Sequence, residues 1–259
     1  MTTSRTPLDW DAATYDRVSS PQLDWGLEVL ERLGLDGDET VLDAGCGTGR
    51  VTAELVKRVP RGRVVAVDVS PAMVERARTS LGPGVEVRHA DLRELTLPRQ
   101  IDVVFSTATF HWITDHPSLF ARLHAVLRPG GRLEAQCGGQ GNVANVVDAL
   151  TALSGEPQWS EHLARVPIPW YFGSPEQAER DLRAAGFVDV RTWLERRDAE
   201  PPDMRAFVAS SIAVGQLDAL PEDRREPFLD ALMERLGDPS SLPYVRLNLS
   251  ASKPSTPSR

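Results

Sequence analysis

Three glycines and three acids are spaced so that successive strand ends could hold a ligand. Val41 to Arg50 read V-L-D-A-G-C-G-T-G-R. Two apolar residues finish a strand and Asp43 sits at its end. Gly45, Gly47 and Gly49 turn the chain, and Val51, Leu55 and Val56 open a helix. Glycines let a main chain approach a ligand closely, and the N–H groups at a helix N-terminus face negative charge. A dinucleotide fingerprint needs its third glycine one residue later, as G-x-G-x-x-G. Here that place holds Arg50, whose side chain would crowd a pyrophosphate. A Gly-rich run also suits a plain strand-to-helix turn. Asp43, two residues before the first glycine, and a second acid at Asp68 favour a binding site. Asp91 and Leu92 after the third strand and Ser106 at the end of the fourth extend the row.

The elements that must position these residues follow from hydropathy. Apolar runs of strand length alternate with helical patterns, which predicts a parallel sheet with helices on both faces. Ser20-Pro21 starts a helix and Gly34 stops it. Strands are expected at 40–44, 63–67, 85–90, 101–106 and 132–137, with a helix after the glycines to about Arg58 and another from Ser70-Pro71 to about Ser80. V-V-A-V and I-D-V-V-F are the continuous apolar runs of buried parallel strands. Pro129-Gly130-Gly131 should end the helix before strand five. Past that strand, Ser174-Pro175-Glu176-Gln177 is a capping box whose helix stops at Gly186. Strands six and seven are read at 188–193 and 244–251. Residues 140–186 and 200–240 exceed ordinary loop lengths and are expected to build a helical cap. Open parallel sheets bind ligands outside the carboxyl ends of their strands, where all these acids fall.

The chain has 259 residues, 41% of them hydrophobic, with six tryptophans. That is enough for one large domain, taken as 1–251 with a disordered tail at 252–259. A net charge of −8 argues against nucleic acid as substrate. Two cysteines exclude a disulfide framework and suit a reducing compartment. The N-terminus lacks the apolar core of a signal peptide, and no run is long enough to span a membrane, so a cytoplasmic protein is expected. The spacings of a zinc site, a Ser-His-Asp triad and a P-loop are missing, and no metal is expected. The sequence carries no signal for an oligomeric state.

D-x-G-C-G-T-G resembles the first motif of the class I S-adenosylmethionine-dependent methyltransferases, and Asp68, Asp91 and P-G-G extend the likeness over residues 10 to about 141. Within that superfamily, W-D-A-A-T-Y-D, V-D-V-S-P-A-M and F-H-W-I-T-D-H are most similar to the trans-aconitate methyltransferase group and related carboxyl O-methyltransferases. The resemblance implies a Rossmann-like seven-stranded, mostly parallel sheet and S-adenosylmethionine as cofactor. Gly45, Gly47 and Gly49 would face its aminocarboxypropyl arm, with Asp43 and the Ser106 carbonyl toward its ammonium group. Asp68 would accept the ribose hydroxyls, Asp91 and Leu92 would meet the adenine edge, and Val69 and Met73 its faces. Trp10 and Tyr15 would belong to an N-terminal lid over residues 1–20, where aromatic faces suit a sulfonium.

Phe110-His111-Trp112 follows strand four, the usual place for residues near the transferred methyl. His111 is a candidate general base, with a structural hydrogen-bonding role as the alternative. Trp112, Arg17, Tyr171 and Arg246 are candidates for the acceptor pocket, and an arginine fork suits an acid. The reading is a methyltransferase acting on a small-molecule acceptor by direct displacement, preferably on a carboxylate, which is ionised at neutral pH and needs no base. Phenolic, enolic or carbon acceptors, a non-catalytic S-adenosylmethionine-binding protein and a nicotinamide-dependent oxidoreductase are the alternatives.

Overall fold

A computed structural model describes residues 20–255, so Trp10, Tyr15 and Arg17 lie outside the described part of the chain. Seven strands form one sheet: β1 (Thr40–Ala44), β2 (Arg63–Asp68), β3 (Glu86–His89), β4 (Ile101–Thr107), β5 (Leu127–Gly138), β6 (Val188–Ala199) and β7 (Leu242–Ser252). Their order is β3-β2-β1-β4-β5-β7-β6. The first five run parallel, and β7 inserts antiparallel between β5 and β6. The chain therefore winds outward from β1 to β3 and then returns to place β4 on the other side of β1, and the gap between β1 and β4 is the switch point at which such sheets open a crevice.

Ten helices are described: α1 (Ser20–Arg32), α2 (Arg50–Arg58), α3 (Pro71–Leu81), α4 (His116–Val126), α5 (Ala144–Ser154), α6 (Pro157–Leu163), α7 (Pro175–Ala184), α8 (Met204–Ser211), α9 (Val214–Ala219) and α10 (Glu222–Leu236). Alternate strand residues serve opposite faces. Val41, Val103 and Phe105 pack with Val29 and Leu30 of α1 and Leu55 of α2. Leu42, Val104 and Ala135 pack with Leu119 and Leu123 of α4 and Leu182 of α7. A third core, built from α5, α6, α8 and α10 with Trp25 and Tyr244, forms a helical layer of its own.

The caps read from sequence are present in part. Ser70 Oγ accepts the Met73 N–H at 3.4 Å, and Ser174 Oγ accepts that of Gln177 at 3.2 Å. The Gln177 amide turns outward to Asp181 at 2.8 Å, so the reciprocal half of the capping box is not made.

Three boundaries differ from the sequence reading. Helix α4 ends at Val126, and β5 begins at once. Pro129-Gly130-Gly131 then lies within a shift of register between the Ile101–Leu127 and Val103–Arg132 pairs. Strand β6 runs six residues beyond Trp193, because β7 pairs with it as far as Leu242–Ala199. The expected disordered tail is tied down at its start. Ser252 pairs with Arg132, the Lys253 N–H donates to Gly131 at 2.8 Å, and Lys253 Nζ donates to the carbonyls of His124 and Leu127.

Candidate active site

The glycine turn joins β1 to α2 and is held to β2 and β4. Gly45 and Cys46 donate their N–H groups to the Val67 carbonyl at 2.8 and 3.0 Å. Gly45 adopts φ +92°, and a β-carbon there would stand 2.0 Å from Thr109 Oγ1, so only glycine fits. Thr109 in turn donates its hydroxyl to the Gly45 carbonyl at 3.1 Å. Gly47, at φ +53°, has open space where a side chain would be.

Two acids lie beneath and beside this turn. Asp43 is buried and accepts the Thr52 hydroxyl at 2.6 Å. Burial, reinforced by the charge of Asp68 and opposed by Thr52, pushes its carboxyl up to about 7. Asp68 accepts the main-chain N–H of Gly47 at 2.9 Å and of Ser70 at 2.9 Å, one on each oxygen. Each oxygen keeps a further lone pair for a ligand hydroxyl. Burial raises its pKa, while those N–H groups and His89 oppose the rise. Val69, the next residue, is 45% exposed and presents apolar surface beside the turn.

A cleft opens where the sheet meets the helical layer. Tyr244 and Arg246 of β7 line it together with Ala108, His111 and Trp112 from the segment that follows β4. Asn142, Val143, Trp170, Phe172, Ser211 and Ile212 complete the lining. The loop after β4 separates the two features: Thr109 bonds the glycine turn, while Ala108 and His111 line the cleft.

The polarity of the cleft is set by main-chain groups. His111 Nδ1 accepts the Gly138 N–H at 3.2 Å. Burial, with the charges of Arg246 and His116 adding to it, holds the imidazole well below its ordinary pKa. The ring is therefore neutral with its proton on Nε2, a donor. Asn142 Oδ1 accepts the Val245 N–H at 2.9 Å, which leaves its NH₂ group as a donor. Arg246 is buried and permanently cationic. Its Nε donates to Gln136 at 3.3 Å, and its guanidinium lies 5.0 Å over the Trp25 ring. Gln136 donates to Asn248 at 2.9 Å, and Arg32 of α1 donates to the same oxygen at 2.8 Å.

These features have close counterparts. Residues 41–131 match the family model described as a methyltransferase domain. The trans-aconitate 2-methyltransferase of Acidovorax sp. (strain JS42) is 31% identical over 234 residues, covering 89% of this chain and 90% of that protein. The enzyme of the same name from Azoarcus sp. (strain BH72) is 33% identical, covering 86% and 87%. The chain belongs to the class I S-adenosylmethionine-dependent methyltransferases. Likeness in fold extends to the Haemonchus contortus phosphoethanolamine N-methyltransferase 2 solved with S-adenosylhomocysteine, at 20% identity and a TM-score of 0.57, covering 90% of this chain and 53% of that one.

The methyltransferase has a turn that fits its cofactor. The open space over Gly47, the spare lone pairs of Asp68 and the exposed Val69 face the same strand ends. Other candidates sit differently. Ser106 is buried and donates its hydroxyl to the Ala44 carbonyl at 2.6 Å, bracing β4 against β1 below the turn. Gly49 caps α2 and lies against Leu81. Met73 and Leu92 are buried, as core residues are. The Asp91 carboxylate is gripped by the Arg93 guanidinium and main-chain N–H, which lowers its pKa.

Of the acceptor candidates, Trp112 and Arg246 line the cleft and Tyr171 does not. The segment 170–172 forms neither helix nor strand, and its neighbouring side chains point different ways. Trp170 and Phe172 enter the cleft, and the Tyr171 ring packs 4.7 Å from His116. Nor does His111 offer the acceptor nitrogen that a general base needs, since Gly138 occupies it.

The sequence reading of the methyltransferase missed Gln136, Asn248, Tyr244, Ser211 and Trp25. A signal was available for the first two. L-E-A-Q-C in β5 and R-L-N-L-S in β7 each alternate polar with apolar, and the antiparallel register sets Gln136 opposite Asn248 and Gly138 opposite Arg246.

Proposed function

We propose that this methyltransferase esterifies a small carboxylic acid. The observation that carries the reading is the donor character of the cleft wall, where Gly138 and Val245 occupy the acceptor atoms of His111 and Asn142 beside the Arg246 guanidinium. An anion suits such a wall, because charge-assisted hydrogen bonds are shorter and stronger than neutral ones. The names of the curated relatives, trans-aconitate 2-methyltransferases, agree with an acid as acceptor.

When bound, S-adenosylmethionine supplies a sulfonium methyl and leaves as a neutral thioether. The wall would hold one carboxylate oxygen through Arg246, His111 and Asn142, leaving the other to attack in line. The neutral His111 supports this division, since a carboxylate is already ionised and gives up no proton on transfer. Catalysis then rests on positioning and on exclusion of water.

Incubation with methyl-labelled S-adenosylmethionine and a panel of carboxylic acids tests the reading. A labelled product that mild alkali saponifies is expected. Label confined to alkali-stable ethers, amines or C-methyl products would overturn it.

A further inference from the structure

The cleft holds one polar atom that the donor wall does not explain. Ser211 is the last residue of α8 and lines the cleft beside Ile212. Its Oγ is buried and has no hydrogen-bond partner among the described residues. His124, Glu134, Trp159 and Gln216 carry other such atoms, and none of these four residues lines the cleft.

Elsewhere in the helices hydroxyls close on their own main chain. Thr79, Ser80, Thr151 and Ser210 each donate to the carbonyl four residues back, Ser210 to that of Ala206 at 2.7 Å. Ser211 makes no such bond. A buried hydroxyl left this way costs stability and keeps both a donor and an acceptor open. The backbone beneath it is held in place. Phe207 and Val208 are buried in the helical layer, and Ile212 and Ala213 both donate their N–H groups to the Val208 carbonyl, at 3.1 and 2.8 Å. A fixed helix end thus carries the open hydroxyl into the cleft that His111, Asn142 and Arg246 also line.

An open polar atom in a binding cleft favours a ligand that pairs with it. A ligand lacking the matching group leaves that atom buried and unpaired, and is rejected for it. We infer that Ser211 selects among acids: the acceptor carries a second oxygen function, a hydroxyl or a further carboxylate, that hydrogen-bonds the Ser211 hydroxyl while the reacting carboxylate lies on the donor wall. Both oxygens suit a serine, which donates to either and accepts from a hydroxyl. The inference rests on the carboxylate reading above and adds to it a recognition residue from the helical layer.

The test compares matched acids as methyl acceptors of the intact protein and of Ser211→Ala. Fumarate is set beside crotonate, where the second oxygen is a carboxylate's, and coumarate beside cinnamate, where it is a hydroxyl's. In the pair methylated faster, the acid with the second oxygen is expected to exceed its partner at least about tenfold in kcat/KM. Ser211→Ala should raise KM for that acid at least about fivefold and change KM for its partner less than about twofold. The variant should melt no lower than the parent without ligand and bind S-adenosylhomocysteine as tightly. Equal effects on both acids, a lower melting temperature or weakened S-adenosylhomocysteine binding would overturn the inference, as would a parent that prefers crotonate and cinnamate; each leaves the carboxylate reading standing. Methylation of none of the four acids by protein that binds S-adenosylhomocysteine would overturn both.

Discussion

The Asp68 carboxylate at the end of β2 accepts the main-chain N–H of Gly47, 21 positions earlier in the chain, at 2.9 Å. One acid thus fixes the open face of the glycine turn, and its other oxygen fixes the start of α3 through Ser70. Asp68→Ala is expected to weaken S-adenosylmethionine binding by about 2–4 kcal/mol, counting about 1–2 for each of two ribose hydrogen bonds. Titration calorimetry on the folded variant reads this, and unchanged affinity would remove Asp68 from the cofactor site.

Gly45 and Gly47 should fail in different ways. At Gly45 a methyl group would collide with Thr109, so Gly45→Ala should lower the melting temperature substantially. At Gly47 the methyl enters open space, and the main cost to folding is the left-handed backbone, about 1–2 kcal/mol. Gly47→Ala should therefore remain folded and lose cofactor affinity at least tenfold. Equal effects of the two on stability would contradict the distinction.

Buried Asp43 makes stability depend on pH. Its ordinary pKa of 3.8 rises to about 7 in the folded protein. The unfolded chain therefore loses this proton first. The contribution of Asp43 to stability is fully present below pH 3.8 and is lost as pH rises through 7. Asp43→Asn keeps an acceptor for Thr52 and should flatten the fall. In urea unfolding without cofactor it should be more stable than the parent at pH 8, by about 1–4 kcal/mol.

His111 is neutral across the physiological range, and its Nδ1 is occupied. Between pH 6 and 8, kcat for the acid substrate should carry no ionisation of this residue. A limb near pH 6.5 that disappears in His111→Asn would restore the general-base role.

Much of the fold was legible because its signals are local. The strand β1, the glycine turn and the helix to Arg58 follow from a run of adjacent residues, as does the Ser70 cap of α3. The class of fold followed from alternating apolar runs and holds in the seven-stranded sheet. Legibility fell where partners are distant in sequence. Strand β6 outran its apolar stretch because β7 supplies pairing partners beyond it, whatever its side chains. Tyr171 and Trp170 could not be told apart by type, since only the path of an irregular segment decides which enters the cleft. The donor wall depends on Gly138 and Val245, whose N–H groups carry no residue-specific mark in a sequence.

Arg246 bears the central claim, that the cleft reads an acid. It is buried, stacked on Trp25 and anchored by Gln136. Arg246→Met keeps much of the apolar stem and removes the charge. The deciding measurement is steady-state methylation of an acid substrate by this variant beside the parent, with S-adenosylmethionine affinity measured in parallel. The account predicts a loss in kcat/KM for the acid of about 2–3 kcal/mol, the scale of hydrogen bonds to a charged group, with cofactor affinity changed less than about twofold. Unchanged acid kinetics in a folded Arg246→Met protein would contradict it.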